Sequence, residues 1–357
     1  YALLLPPMRA ELGWSYFTAG AMNTVNAMGY LVGALLLPRA LARLDARTIF
    51  LAGGWGAALL LALHGVAGSM ARSDALLYAL RGLTGVASAA TFASGGLLAA
   101  RLGQQPGARP SLVLGLYYGG TGLGIVASSL IVPPLTWPVA WQGLALAALA
   151  ATLAMGLGTR PLAAAPMAAA ARGAGFRARD FAFGLAGYLM FGLGYIGYMT
   201  FIVTLLREQG ASGATVVAFY ILLGCGVIAS SWLWAPLLQR FRGGQPLALL
   251  DALLAVATLL PVLSAHPLAV FASGALFGAV FLSLVASTTA LVRHNLPPAA
   301  WPAGIAAFTS IFAAGQIVGP SLVGWVADGA GGLARGLAVS AGVLALGALL
   351  AARQRAL

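Results

Sequence analysis

A basic side chain and three hydroxyl groups share one face of a predicted helix. Thr84, Ser88 and Thr91 follow Arg81 at the spacings i+3, i+7 and i+10. On an α-helix these spacings place the four side chains within about 80° of one another. The guanidinium is planar and always charged, which suits carboxylate and phosphate groups, and an arginine inside an apolar helix by default indicates a functional site. We interpret the stripe as an anion-binding face; the alternative is a structural arginine bonded to backbone carbonyls or to a neighbouring helix.

Other polar side chains recur at helical spacing in further helices. Amides and tyrosine hydroxyls inside a membrane must find hydrogen-bond partners, which a hydrated cavity supplies. Packing between helices is the alternative for the amides and the tyrosines, and a serine can also bond back to its own helix. We predict that the following residues line the same substrate site: Asn23, Asn26 and Tyr30; Tyr117 and Thr121; Tyr188, Tyr195 and Tyr198; Ser283 and Ser287; and Gln316.

The composition defines the surroundings of these side chains. Of the 357 residues, 61% are hydrophobic and only 7% are charged, whereas a soluble domain carries about 25% charged residues. The chain therefore cannot cover itself with a solvated surface. We predict an all-α integral membrane protein whose main partner is the lipid bilayer.

The same inventory argues against several function classes. The formal net charge is +12, but the arginines stand between apolar runs, so they indicate membrane topology and no nucleic-acid partner. The single Cys225 lies in an apolar run and the three histidines are scattered, which is not a metal-ligand pattern. The sequence contains no phosphate-binding loop and no nucleophile motif. We expect no enzymatic activity, no cofactor and no metal site.

Eleven stretches of the chain reach the length of about 20 apolar residues that a membrane-spanning helix needs. The predicted spans are 14–37, 48–70, 75–102, 110–134, 138–158, 181–206, 212–238, 245–265, 267–292, 299–327 and 331–352. The residues from Tyr1 to Pro6 read as the end of a further helix, the larger part of which we expect to be absent from this chain.

Arginine is distributed unequally between alternate connections. Fourteen arginines lie in one set of connections and four in the other, and cytoplasmic loops attract arginine. We therefore place the arginine-rich connections and both termini in the cytoplasm. Two of these connections carry the residues that we interpret as gating or cytoplasmic-loop residues: Arg39, Arg43 and Arg47 in one, and Arg240 and Arg242 in the other.

An internal repeat divides the chain into halves. The segment "YALLLPPMRAELGWS" at the start aligns with "YMTFIVTLLREQGAS", which begins at Tyr198, and "GTGLG" at Gly120 aligns with "GQIVG" at Gly315. Both alignments have an offset near 195, as expected for a duplicated unit. We predict two six-helix halves, 1–158 with a truncated first helix and 181–357, joined by a linker at 159–180.

These features resemble the major facilitator superfamily, in which two parallel six-helix halves are joined by a cytoplasmic linker. The segment "RGLTGVASA" (81–89) is similar to the Arg-x-x-x-Gly pattern of its fourth helix. In "GYLVGALLLPRALARLDAR" (29–47), Leu37 and Pro38 replace the Asp-Arg pair of the superfamily's basic loop, so this loop keeps only its basic character. "FGLGYIGYMTF" and "GQIVGPSLVGWVAD" resemble the bacterial YbfB/YjiJ-like branch. The resemblance covers essentially the whole chain and implies a central cavity lined by the first, fourth, seventh and tenth of twelve helices, the truncated one counted first.

The polar stripes and the resemblance together predict a secondary transporter that moves a small organic solute across the bacterial inner membrane by alternating access. An organic anion is favoured, because Arg81 is the conspicuous charge in the cavity helices and no acid opposes it. The alternatives are an exporter of lipophilic drugs or metabolites, and a transporter-like sensor or assembly factor that does not move solute. Protons are a candidate coupling ion. Asp251 is the only acid inside a span, and we expect it to pair with Arg240 or Arg242 rather than to bind a coupling proton. We expect a monomer.

Overall fold

The computed structural model describes residues 1–70, 73–107, 109–162 and 176–357. Within these ranges the chain forms thirteen α-helices, two short 3-10 turns (178–181 and 298–300) and no β-strand. The helices are α1 (Leu5–Leu12), α2 (Tyr16–Leu41), α3 (Ala46–Met70), α4 (Asp74–Gly103), α5 (Pro110–Ile131), α6 (Trp137–Gly158), α7 (Ala182–Glu208), α8 (Gly213–Leu233), α9 (Ala235–Arg240), α10 (Gln245–Leu263), α11 (Pro267–Asn295), α12 (Trp301–Ala327) and α13 (Gly332–Ala352). The prediction of an all-α fold is confirmed.

Ten helical segments in this part of the chain are long and apolar enough to cross a membrane. The eleventh predicted span, 110–134, corresponds to α5, which has 22 residues and is not among these ten. The span predicted over 212–238 is interrupted at Trp234, where α8 ends and α9 begins with Pro236 in its first turn. Proline is favoured in the first turn of a helix and disfavoured in its interior, which accounts for the break.

Two turns of the chain have the same capping geometry at equivalent positions of the repeat. Ser15 precedes α2, and its hydroxyl oxygen accepts a hydrogen bond from the backbone N–H of Thr18 at 3.1 Å. Ser212 precedes α8, and its hydroxyl oxygen accepts one from the N–H of Thr215 at 3.1 Å. A serine in this position satisfies a backbone donor that the first turn of a helix leaves free.

The preceding helices, α1 and α7, end in the same way. Gly13 and Gly210 both have a positive φ, +68° and +86°, which glycine adopts without steric cost. The next residue in each turn, Trp14 or Ala211, donates its N–H to the carbonyl five residues earlier, at 3.1 and 2.9 Å. The alignment of the opening segment with the one at Tyr198 is therefore visible in the backbone of both turns.

The helices pack in two groups with matching internal contacts. In the N-terminal half (α1–α6), α4 packs on α2 and α3, and α3 also packs on α6. In the C-terminal half (α7–α13), α11 packs on α8 and α10, and α10 also packs on α13. The most buried spanning segment is the one that contains α7, which packs between α12 and α13. The two most extensive contacts between the halves are those of α2 with α12 and of α5 with α8, and α7 also contacts α1 and α2.

The contact between α2 and α12 brings backbone against backbone. A Cβ atom added at Gly20 would lie 2.2 Å from the carbonyl oxygen of Pro320, and one added at Gly324 would lie 2.3 Å from that of Tyr16. Only glycine permits so close an approach. The contact involves the end of α2 near residues 13–15 and the end of α12 near residues 328–331. This end of the bundle also carries the connections at 132–136, 209–212 and 264–266. We call it the opposite face, because it lies opposite the end that carries most of the arginine-rich connections.

The second contact between the halves is also formed by glycine. A Cβ atom at Gly122 of α5 would lie 2.4 Å from the carbonyl oxygen of Gly224 of α8, and one at Gly224 would lie 2.8 Å from that of Gly122. Here the two backbones meet directly, with the side chains of Val126 and Ile228 packed beside the two glycines.

The other end of the bundle, which we call the arginine-rich face, carries the connections at 42–45, 104–107, 241–244 and 296–300. Arg47 binds the end of α6, where its Nη2 donates to the carbonyl of Gly156 at 2.8 Å and its Nε to the hydroxyl of Thr159 at 3.1 Å. The other predicted gating residues are exposed: Arg39, Arg43, Arg240 and Arg242. Most of the predicted linker, 163–175 with Arg172, lies outside the described residues, as does Arg72.

Candidate functional site

Arg81 is buried in α4 at 7% exposure. Its Nη2 donates a hydrogen bond to the side-chain Oδ1 of Asn23 in α2 at 2.7 Å, and its guanidinium lies over the ring of Tyr1 at 4.8 Å from the centroid. Its Nε is buried and has no hydrogen-bond partner among the described residues. A buried guanidinium with an unused N–H group can donate a hydrogen bond to a further acceptor.

No carboxylate of the described residues forms an ion pair with Arg81; the pairs in this part of the chain are Arg9 with Glu208 and Arg179 with Asp180. Buried charges in proteins are normally paired, because an isolated one is strongly disfavoured in a medium of low dielectric constant. The neutral amide of Asn23 is a weaker acceptor than a carboxylate. The position next to Arg81 is therefore chemically suited to an incoming anion.

Asn23 connects Arg81 to the other half of the bundle. Its Nδ2 donates to the hydroxyl oxygen of Thr200 in α7 at 2.8 Å, while Thr200 donates its own proton to the carbonyl of Ile196 at 2.6 Å. Asn26, one turn further along α2, donates to the backbone carbonyl of Arg81 at 3.0 Å. Both predicted asparagines thus contact Arg81, and Thr200 is a participant that sequence reasoning missed.

A cavity of about 250 Å³ lies beside Asn23 and between the halves. Both halves line it, and most of the lining is apolar: Tyr1, Ala2, Leu3, Leu4, Asn23, Ile125, Ser128, Val132, Leu144, Ile196, Met199 and Tyr220. The hydroxyl of Ser128 donates to its own helix at Ile125. A second cavity of about 210 Å³ lies toward the opposite face, where Pro6, Val132, Trp137, Val203 and Arg207 are among its lining residues.

Two of the three hydroxyls of the Arg81 stripe donate to their own helix. Thr84 is buried and donates to the carbonyl of Leu80 at 2.7 Å, and Thr91 donates to that of Ala87 at 3.0 Å. Ser88 is half-buried. Such back-bonding satisfies a hydroxyl without a ligand, so these groups supply polarity to α4 but no free donor at Thr84 or Thr91.

Tyr30, Tyr117 and Thr121 are all half-buried. The hydroxyl of Tyr117 donates to the backbone carbonyl of Phe92 in α4. The ring centroid of Tyr117 lies 5.7 Å from that of Phe92. These contacts join α5 to α4 on the side nearer the arginine-rich face.

The tyrosines of α7 belong to an aromatic cluster inside the C-terminal half. Tyr188, Phe191 and Tyr195 stack along α7, and the ring of Phe312 in α12 stacks on all three at centroid distances between 5.1 and 5.5 Å. Gln316 of α12 donates its side-chain Nε2 to the hydroxyl of Tyr195. The structure therefore brings together two predicted site residues, Tyr195 and Gln316, from α7 and α12.

The remaining candidates lie deeper in the C-terminal half. Tyr198 is fully buried, stacks on Phe277 at 4.1 Å and shares a hydrogen bond of 2.6 Å with the hydroxyl of Ser273. Ser283 donates to the carbonyl of Ser230 at 2.7 Å and thereby joins α11 to α8. Ser287 donates to the carbonyl of Leu284 in its own helix. None of the three candidates, Tyr198, Ser283 and Ser287, lines either of the two cavities described above.

The ion pair predicted for Asp251 is not formed. Its side chain is fully buried in α10, and neither carboxylate oxygen has a hydrogen-bond partner among the described residues. The carboxylate instead lies against α13, where its Oδ2 would be 3.0 Å from a Cβ added at Gly347. Arg240 and Arg242 are exposed at the end of the bundle. The prediction was wrong because long arginine side chains at a helix end extend to water at little cost, whereas Asp251 lies inside a packed helix.

Comparison with known proteins identifies a family. A family model described as an uncharacterised MFS-type transporter, YbfB, matches residues 1–352. No curated protein matches the chain. The match extends over both halves of the bundle.

Solved structures similar to this chain are transporters of the same fold. A mutant of the nucleoside transporter NupG superposes with a TM-score of 0.78 at 15% identity, over 98% of this chain and 94% of that chain. A bacterial homologue of the human lysosomal transporter Spinster, inward-facing and unoccupied, gives 0.73 at 14% identity, over 98% and 91%. The human organic anion transporter MFSD10 (TETRAN) gives 0.63 at 17% identity, over 97% and 88%. At these identities the likeness is one of fold.

Proposed function

This chain belongs to the YbfB family of major facilitator transporters, and from this premise we propose that it carries a small organic anion across the membrane, with Arg81 as the anchor for the anionic group. The carrier works by alternating access, through rocking of the halves 1–158 and 181–357 about a site between them. The arginine-rich face and both termini are cytoplasmic, and the membrane is a bacterial inner membrane. The protein acts as a monomer, catalyses no chemical reaction and has protons as its candidate coupling ion.

The observation that carries this proposal is the environment of Arg81. The guanidinium is buried, has an unpartnered Nε and lacks a carboxylate among the described residues. A carboxylate ligand would supply the negative charge that Asn23 lacks, and its two oxygens would accept charge-assisted hydrogen bonds from two N–H groups of the guanidinium. Because the folded chain has already desolvated the arginine, the remaining cost of binding is the desolvation of the ligand and the loss of the hydrogen bond between Arg81 and Asn23.

The cavity beside Asn23 supports a small ligand with an apolar body. Its volume is about 250 Å³, and side chains such as Ile125, Ile196 and Met199 form much of its wall. Ligand sites commonly combine an apolar wall with a few placed polar groups. A monocarboxylate with a short aliphatic or aromatic body fits both features better than a sugar, which would leave many hydroxyls without partners.

A second candidate function is export of lipophilic compounds. The observation in its favour is the apolar wall of the same cavity together with the stacked rings around Phe312. Under this alternative Arg81 is a structural residue that holds α4 to α2 through Asn23.

The test is a thermal-shift panel on the full chain in detergent, followed by flux in proteoliposomes. Benzoate, succinate, glucose and tetraphenylphosphonium represent the ligand classes, and a ligand that binds the folded state raises the apparent Tm. The variants are Arg81→Gln, which removes the charge, and Arg81→Lys, which keeps the charge but loses the planar fork. Ser94→Ala is the control for a polar change without loss of charge, because Ser94 lies in the same helix outside the polar stripe and its hydroxyl donates to the carbonyl of Ala90 in that helix.

We expect benzoate to stabilise the wild type and the Ser94→Ala variant but not Arg81→Gln, with an intermediate response from Arg81→Lys. Flux of the stabilising anion should follow the same order. If benzoate stabilises Arg81→Gln as strongly as the wild type, Arg81 is not the anchor. Stabilisation by tetraphenylphosphonium alone would favour the lipophilic exporter, and binding without flux would favour a sensor.

A further inference from the structure

We propose that Thr200 is a positioning residue that ties the two halves together through Asn23, and that an anion bound at Arg81 releases this tie. The three residues Arg81, Asn23 and Thr200 form what we call the cross-half bridge. The first part of the inference stands on the geometry alone, and the second part rests on the proposed function.

The donors and acceptors of the cross-half bridge can be arranged in only one way. Arg81 can only donate, so it requires the oxygen of the Asn23 amide, at 2.7 Å. Thr200 uses its proton on the carbonyl of Ile196, so toward Asn23 it can only accept, and it receives Nδ2 at 2.8 Å. Arg81 and Thr200 therefore require the same orientation of the amide, and Thr200 holds the end that faces away from Arg81.

The cross-half bridge connects elements that must separate during transport. Arg81 in α4 and Asn23 in α2 belong to the N-terminal half, and Thr200 in α7 belongs to the C-terminal half. Thr200 is fully buried, so the hydrogen bond to it is not open to competition by bulk water. Breaking a buried hydrogen bond leaves a donor unsatisfied, which stabilises the state in which the halves stay together.

An anion at Arg81 would disturb both bonds of the bridge at once. A carboxylate is a stronger acceptor for a guanidinium than an amide oxygen is, so it displaces Oδ1 of Asn23 from Nη2. The amide group is planar and rigid, and a rotation that moves Oδ1 also moves Nδ2 out of line with Thr200. A ligand can shift a conformational equilibrium only if it interacts differently with the two states. Displacement of Asn23 supplies this difference, because the bond to Thr200 exists only in the state in which the halves are together.

The experiment measures how often the halves separate on the opposite face. Ser321 of α12 is half-buried, and its hydroxyl lies 2.8 Å from that of Thr24 in α2, so Ser321→Cys is a near-isosteric reporter at the contact between the halves. The exposed Cys225 is first replaced by alanine. The rate at which a charged maleimide labels the reporter is measured on the full chain in detergent, with and without benzoate.

The matched variants are Thr200→Val, Thr200→Ser and Thr204→Val. Thr204 lies one turn further along α7, is also buried and has a hydroxyl without a hydrogen-bond partner among the described residues. Thr204→Val therefore controls for the effect of replacing a buried threonine of this helix by valine. We expect Thr200→Val to raise the ligand-free labelling rate about three- to tenfold, the effect of losing one intramolecular hydrogen bond. Thr200→Ser should restore the wild-type rate, and Thr204→Val should leave it unchanged.

Equal ligand-free rates in Thr200→Val and the wild type would overturn the role of Thr200, and so would an equal rise in Thr204→Val. If Thr200→Val does not purify as a folded protein, Asn23→Ala tests the same bond from the other side. Benzoate should raise the wild-type labelling rate and change that of Thr200→Val less than twofold. Benzoate that stabilises the wild type without raising its labelling rate would overturn the release mechanism. Benzoate that does not bind at all would contradict the proposed function, while the ligand-free rates still decide the role of Thr200.

Discussion

The carboxylate of Asp328, in the connection after α12, caps the helix α2 that begins at Tyr16 in the other half. Its Oδ1 lies 2.7 Å from the backbone nitrogen of Tyr16, and its Oδ2 lies 2.9 Å from the next nitrogen. The hydroxyl of Tyr16 donates to Glu208 at the end of α7, and the guanidinium of Arg9 lies 3.7 Å from the centroid of the Tyr16 ring. The opposite face is thus closed by a helix cap that one half supplies to the other.

Loss of this cap should open the opposite face. Asp328→Ala removes both acceptors from the first turn of α2, and the cost of losing a side-chain cap is about 0.5–2 kcal/mol. We expect a lower apparent Tm in detergent and faster labelling of Ser321→Cys. Asp328→Asn keeps one acceptor oxygen and should have the smaller effect. Unchanged labelling in Asp328→Ala would show that the cap does not hold the halves together.

A carboxylate introduced at position 23 should compete with the transported anion. In Asn23→Asp an oxygen that lies 2.7 Å from Nη2 of Arg81 becomes charged, and a charge-assisted hydrogen bond is roughly twice as strong as a neutral one. We expect at least a tenfold loss of benzoate affinity, measured by ligand titration. Asn23→Ser is the neutral control. Undiminished benzoate binding in Asn23→Asp would mean that the anion binds elsewhere.

Two glycines of α13 should respond to alanine with opposite signs. A Cβ at Gly347 would meet Oδ2 of Asp251 and Cβ of Met190 at 3.0 Å each, whereas a Cβ at Gly342 would have no atom within 4 Å. Gly347→Ala should destabilise by about 1–3 kcal/mol, as overpacking does, while Gly342→Ala should stabilise by up to about 1 kcal/mol through helix propensity. Tm values of the two variants in the same detergent give the comparison, and equal shifts would contradict the packing of Asp251 against α13.

The cap of α3 should give a pH-dependent contribution to stability. Asp45 accepts hydrogen bonds from the hydroxyl and the backbone N–H of Thr48, and both lower the pKa of its carboxyl below the ordinary value of 3.8. A depressed folded-state pKa means that the stabilisation is present above the unfolded-state pKa and is lost as the pH falls through the folded-state value.

The measurement for Asp45 compares wild type with Asp45→Ala. Because this site is exposed to water, we expect a difference of about 0.5–1 kcal/mol at pH 7, at the lower end of cap energies. The difference should shrink only below pH 3.8, toward the folded-state pKa. A difference that is already lost at pH 5 would contradict a lowered pKa. Asp45→Ala also controls for Asp328→Ala, since Asp45 caps a helix of its own half and should not change labelling of Ser321→Cys.

The helices could be predicted from the sequence because their length is set by the membrane. The apolar run 48–70 corresponds to α3 (Ala46–Met70), and the run 245–265 corresponds to α10 (Gln245–Leu263). The similarity of two turns was also readable, since the serines before α2 and α8 keep the same spacing to a threonine and form the same cap. Local capping depends on adjacent residues, and these are visible in a sequence.

The partners of the candidate residues could not be predicted in the same way. Helical spacing shows which side chains share a face, but not which face meets the other half. Thr200 carried no signal, because a single threonine in an apolar helix most often bonds to its own backbone. The side chain of Asp251 lies against Gly347 because of the way α10 packs on α13. The charges in the sequence predicted an ion pair with the nearby arginines instead.

The glycine contact between α5 and α8 has a mechanical consequence. Where Gly122 and Gly224 meet, the two backbones touch directly, and the side chains of Val126 and Ile228 pack beside the contact. Sliding of one helix along the other would force these two side chains out of their packed positions. The contact therefore fixes how closely α5 and α8 approach each other, and it favours a tilt of the two helices about this point over a translation along it.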